Sequence, residues 1–231
     1  MESEQQKQGK LTHSQAVLYY VFLIIALFVL GLRLYGAIAK TDDLADTRFF
    51  GSKMLGVILI AGMTVFHRWT DMKLNWSSVR GTKEDNMQSL KIGLIISALV
   101  IVLFIVFRLI MTAKNPSIKE IPWFGLYLNM NTRWLYPVSI LFQEIFIKCF
   151  VQDNFCRFFG DKYIHLPILI TSLFFFILHL QDPLYYMTGA FALCMITGYI
   201  YRKYPSVIAP YLIHFAIGFL PRCLGILQII E

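Results

Sequence analysis

A handful of polar side chains sits where lipid would be expected. Gln143, Glu144, Lys148, His179 and His214 all fall inside apolar runs of bilayer length. An ionisable group at the centre of a bilayer costs about 3 kcal/mol or more, so it needs a partner or a cavity and marks a site by default. Glu144 and Lys148 are four residues apart in the favourable Glu-before-Lys order, so an α-helix stacks them on one face as a self-neutralising pair. Gln143 then points roughly 100° away from Glu144, and the two neighbours cannot share one task. His179 ends the run FFFILH, with Asp182 three residues on as a candidate partner. His214 lies within SVIAPYLIHFAIGF, and Pro210 four residues earlier loosens the helix and frees a carbonyl. Each residue alone has a plain packing role. Together, one Glu/Lys helix and two histidine helices in the C-terminal half imply a polar cavity between spans. His13, His67 and His165 are loop or edge residues and require no such role.

The elements that must hold these groups follow from composition. The chain of 231 residues is 57% hydrophobic and only 15% charged, against about 25% charged for a soluble domain. Lipid is therefore the solvent for most of its surface. A span needs about 20 mostly apolar residues, and the candidates are 15–39, 51–68, 89–113, 134–158, 165–181, 184–201 and 205–229. These runs are continuous rather than alternating, so helices satisfy the backbone. The expected fold is all-α, a polytopic transmembrane bundle of about seven spans forming a single membrane domain over 1–231. Residues 69–88 read as a charged surface loop. Residues 114–133, with Trp123, Phe124, Tyr127 and Leu128 among polar neighbours, read as an interfacial helix before the fourth span. Tyrosines and Trp134 cluster at span ends as an aromatic belt, while Gly189, Ala190, Ala192, Cys194 and Gly198 suit close helix packing.

Charge and cysteine usage exclude several classes. The net charge of +7 comes from Lys and Arg lying mostly in short loops, where they meet anionic headgroups rather than nucleic acid. Cys149, Cys156, Cys194 and Cys223 form no C-x-x-C pair and read as buried free thiols. His179, His214 and Glu144 have the composition of a His₂Glu zinc set, but no local ligand spacing supports a metal, and no cofactor is expected. Polar residues within spans also suit a small transporter, though paired broken helices and repeats are lacking.

The order QExxxK (Gln143 to Lys148), FxxxH (Phe175 to His179) and HxxxG (His214 to Gly218) resembles the CPBP family. These are the Abi, or CAAX-protease-and-bacteriocin-processing, membrane proteins, which include the Rce1-type CAAX prenyl endopeptidases. Their usual pattern is EExxxR, FxxxH and HxxxN/D, and the resemblance covers about 134–220. It implies an integral protein of a bacterial cell membrane and an intramembrane endopeptidase ancestry. It also implies that positions 143 and 179 activate water, that 214 and 218 stabilise the oxyanion, and that Glu144 and Lys148 stand for the second Glu and the Arg. Two departures bear on activity. The Gln143 amide has no useful basicity, where a general base supplies about 10²–10⁴-fold. Gly218 has no side-chain donor, where one oxyanion donor supplies about 10²–10³-fold. The expectation is a non-catalytic, pseudo-protease member that binds and regulates a membrane-protein, peptide or cell-envelope partner, in contexts such as bacteriocin immunity. The alternative is an active endopeptidase with a rearranged Glu/His site, which requires Lys148 to release Glu144 or the helix to rotate.

Overall fold

A computed structural model describes residues 12–39, 44–123, 130–160 and 162–226. Among them every regular element is helical, because only intra-segment hydrogen bonds satisfy the backbone of such apolar stretches in lipid. In chain order these are α1 (His13–Ala39), α2 (Leu44–Trp69), α3 (Trp76–Arg80), α4 (Lys83–Lys114), α5 (Met130–Glu144), α6 (Asp153–Phe159), α7 (His165–Ile177), α8 (Leu184–Lys203) and α9 (Ile208–Cys223). A 3₁₀ helix covers Pro116–Glu120, and a π-helical segment, Ile145–Gln152, leads from α5 into α6.

Seven spans are expected from the sequence; among the described residues four helices are long and apolar enough to cross a membrane: His13–Ile38, Lys83–Lys114, Leu135–Phe159 and Leu184–Lys203. His165–Ile177 and Ile208–Pro221 are apolar but shorter. The third span starts at Lys83 rather than 89. Thr82 caps it by accepting the Asp85 N–H at 3.0 Å, and Glu84 and Asp85 favour the positive end of the helix dipole. The expected loop 69–88 therefore contains the short α3 and the first turns of α4. The fifth span is also shorter than expected: α7 ends at Ile177, and His179 lies in the turn beyond it. Within the expected interfacial stretch the described residues form the 3₁₀ helix and the start of α5, and 124–129 lie outside the described residues.

The chain divides into two compact units. The first comprises Met1–Asn75 and Ile147–Gly198. In it α1 packs on α2 and on α6, and α6 packs on α7. Tyr20 of α1 meets Phe66 and Phe150 edge-on, with centroids 5.0 and 5.3 Å away. Two polar rungs cross its apolar interior. Lys148 Nζ donates to the Cys194 carbonyl at 3.1 Å, and Gln152 Nε2 donates to the Gly198 carbonyl at 3.0 Å. Lys148 and Gln152 are both fully buried, so these rungs replace water that hydrocarbon cannot supply.

The second unit comprises Trp76–Phe146 and Tyr199–Glu231. Its main contact is α4 against α9, with α5 also packed on α9. Gly93 makes the close approach: a Cβ there would stand 2.9 Å from the Ala209 Cα. Polar side chains of α4 tie down the start of α9. Ser89 Oγ accepts the Ala209 N–H at 2.8 Å and donates to the Ser206 carbonyl at 3.4 Å, while Ser206 Oγ donates to Asn86 Oδ1 at 2.6 Å. Ser206 is the residue four before Pro210, so its carbonyl is the one the proline ring leaves without a helical donor. The expected loosening at Pro210 falls in the first turn of α9, where no helical bond is broken. Further along, the buried Arg108 of α4 donates to the Leu224 carbonyl just past α9 and to the Ile121 carbonyl at 2.6 Å. Its guanidinium carbon lies 4.7 Å from the centroid of the Trp123 ring. Gly225, at φ 62°, closes the helix end beside this guanidinium.

Candidate functional site

Glu144 is the last residue of α5, immediately before the helix widens into its π segment. A π turn bonds i to i+5, so residues four apart no longer stack as they do in an α-helix, and such turns occur frequently at functional sites. The expected Glu144–Lys148 pair gives way to two separate partnerships. Glu144 Oε1 lies 2.7 Å from Nδ1 of His214 on α9, and both side chains are buried. Lys148 instead places its Nζ on the carbonyl and, at 3.3 Å, the Sγ of Cys194.

With Glu144 ionised, the Glu144–His214 contact has one chemical sense. An ionised carboxylate only accepts, so the imidazole Nδ1–H donates to it, and Nε2 is left as the basic nitrogen of a neutral ring. A carboxylate held this way also stabilises the imidazolium that forms when Nε2 takes a proton. Burial strengthens the bond and raises the penalty for removing either partner.

Gly218 is one turn beyond His214 on the same face of α9. A Cβ at that position would run into the hydroxyl of Tyr136 from α5, with the ring carbon Cζ 3.2 Å away. Tyr136 is fixed by stacking. Its ring packs on Phe219 at 6.0 Å, Phe219 on Phe215 at 4.8 Å, and Phe215 on Tyr211 at 6.2 Å, an aromatic ladder at four-residue spacing along α9. Gln143 is half-buried and donates from Nε2 to Ser139 Oγ, one turn back on its own helix, at 3.1 Å.

In the other unit, His179 is set by the first residue of its own FxxxH motif. Its Nδ1 bonds the Phe175 carbonyl at 2.8 Å, and its ring sits edge-on to the Phe175 ring at 4.6 Å. A carbonyl only accepts, so Nδ1 carries the hydrogen, and Nε2 of the neutral ring is an acceptor. Gln181 donates to Asp182 at 3.3 Å in the turn that follows. Among the described residues no three His, Cys, Asp or Glu side chains gather at metal-ligand spacing.

Residues 104–220 match the sequence model of a family described as type II CAAX prenyl endopeptidase Rce1-like, and the matched stretch is half of the chain. The chain belongs to the Rce1-like family. The Rce1-like stretch begins inside α4 and contains all three motifs, from Gln143 through His179 to Gly218. Family membership together with the apolar helices makes this Rce1-like chain an integral membrane protein. No curated protein and no solved structure matches it significantly.

Sequence reasoning gave Tyr136, Ser139, Cys194 and Arg108 no part in the site, reading Cys194 only as a buried thiol and packing residue and Tyr136 only as part of the aromatic belt. Arg108 carried a readable signal, since an arginine in an apolar run is itself a flag. Tyr136 and Cys194 carried none. Their partners are 82 and 46 residues away in the chain, and only tertiary packing pairs them.

Proposed function

We propose that this Rce1-like chain is an intramembrane peptide hydrolase whose centre is rebuilt around Glu144 and His214. The observation that carries this reading is the 2.7 Å contact between Glu144 Oε1 and His214 Nδ1 inside the apolar helices. With Lys148 bonded to Cys194, Glu144 has the release that a rearranged site requires. In this reading His214 Nε2 removes a proton from water as the oxygen adds to a peptide carbonyl, and Glu144 holds the imidazolium that results. The proton then passes from Nε2 to the amine as the carbon–nitrogen bond breaks. The substrate class in this reading is a prenylated CAAX peptide, after the family's description as a CAAX prenyl endopeptidase.

The test uses the full chain in nanodiscs with a set of prenylated and unmodified membrane peptides. Cleavage that falls about 10²–10⁴-fold in Glu144→Gln and in His214→Ala supports the reading. Absence of cleavage from every peptide, with the protein folded, overturns it.

A second reading is a non-catalytic member that binds and regulates a membrane or cell-envelope partner. It is favoured by Gln143, an amide at the family's base position that hydrogen-bonds its own helix. Here no peptide is cut, Gln143→Glu gains no activity, and the paired changes His179→Ala and His214→Ala leave partner binding and phenotype intact.

A further inference from the structure

Position 218 is glycine and offers no side-chain donor. The space is not vacant. A side chain beginning at 218 would clash with the hydroxyl of Tyr136, which arrives from α5 rather than from α9. A Cβ there would force the end of the Tyr136 side chain to shift. Three further features bear on what the hydroxyl can do. Gly218 is one turn from His214, so the hydroxyl stands over the face of α9 that carries the imidazole. The ring is clamped at the end of the Phe219–Phe215–Tyr211 ladder and has only two side-chain torsions to lose. A donor held rigidly in a low-dielectric site needs no reorganisation when charge develops, which is the condition under which such donors matter most.

We infer that Tyr136 supplies from α5 the oxyanion donor that Gly218 cannot supply from α9. This rests on the hydrolase reading and deepens it by naming the second group of the centre. When water adds to the substrate carbonyl, the carbonyl π electrons move to oxygen, and the Tyr136 O–H donates a hydrogen bond to that oxygen. No proton leaves Tyr136, and the bond weakens again as the carbonyl re-forms and the amine departs. Gly218 is then a requirement of the site, because it leaves room for the Tyr136 hydroxyl.

The experiment measures kcat and KM of the full chain in nanodiscs for whichever membrane peptide it cleaves, using Tyr136→Phe, Tyr136→Ala, Tyr136→Ala with Gly218→Asn, and Glu144→Gln. The expected result for Tyr136→Phe is a kcat about 10²–10³-fold lower at nearly unchanged KM, because the hydroxyl acts on the transition state. Tyr136→Ala opens the space a side chain at 218 needs, so adding Gly218→Asn restores at least about tenfold of the lost kcat, as a donor there should. A structural role for the ring predicts no such rescue. Full activity in Tyr136→Phe, or equal activity of Tyr136→Ala with and without Gly218→Asn, overturns the inference while the Glu144→Gln loss leaves the hydrolase reading standing. Full activity in Glu144→Gln, or no cleavage by the unaltered chain, overturns both.

Discussion

Replacing Glu144, His214 and Lys148 by Met, singly and in pairs, decides which partner Glu144 has. Glu144→Met alone leaves the His214 Nδ1–H buried without its 2.7 Å acceptor, and an unsatisfied buried donor costs about 1–3 kcal/mol. His214→Met in turn removes the donor to Glu144 Oε1. The double variant removes both halves of the contact, so its loss should fall short of the sum of the two singles. Hydrogen bonds to charged groups contribute about 1.5–3 kcal/mol net, whereas side-chain hydrogen bonds inside membrane proteins average about 0.6 and reach about 1.7 kcal/mol. With both side chains buried, a coupling of about 1.5 kcal/mol is expected for Glu144 with His214. For Glu144 with Lys148 the coupling should stay below about 0.5 kcal/mol, because Lys148 spends its ammonium on Cys194. Reversible unfolding in mixed micelles, followed by tryptophan fluorescence, measures both cycles. A larger coupling to Lys148 than to His214 would refute the argument, since it would mean that Glu144 and Lys148 pair as they would in a regular α-helix.

Arg108→Met should lower stability by about 2–4 kcal/mol, because the buried Leu224 carbonyl and the part-buried Ile121 carbonyl lose their donor together with the stacking on Trp123; thermal unfolding in detergent checks this, and a neutral result would show that water reaches those carbonyls. Gly93→Val should cost about 1–3 kcal/mol through overpacking, because the atom it meets is the Ala209 backbone, which cannot rotate away; gel filtration after a heating series reads the lowered midpoint. Ser89→Ala should cost about 1–2 kcal/mol, leaving the Ala209 N–H and the Ser206 carbonyl without their shared hydroxyl. Faster hydrogen exchange confined to the first turn of α9 would accompany that loss, and unchanged exchange there would count against the capping role.

Much of the scaffold was legible without coordinates. The apolar stretches specify helices because hydrocarbon forbids open backbone, and the polar residues at 144, 148, 179 and 214 stood out because lipid penalises them. The edges were less legible. Polar KEDNMQ reads as loop until Thr82 is seen capping it, and FFFILHLQD reads as one span although the helix ends at Ile177, leaving His179 in the turn. Both errors come from treating hydropathy as a measure of helix length. Helix ends are set by caps and by which carbonyls find donors, and those are local backbone matters that an apolarity window does not register.

The sequence by itself determined that this is a helical membrane chain of the Rce1-like family, with polar residues at 144, 148, 179 and 214 inside apolar runs. It could not assign partners. A regular helix puts Glu144 over Lys148, and only the π segment after Glu144 changes that register and leaves the carboxylate to His214. Likewise glycine at 218 reads as a loss until α5 brings Tyr136 against it. Residue type and spacing settle what a helix exposes to lipid, because the bilayer acts on each residue in turn. Which buried groups meet depends on winding and close approach between helices, and those are properties of packed pairs rather than of any one stretch of chain.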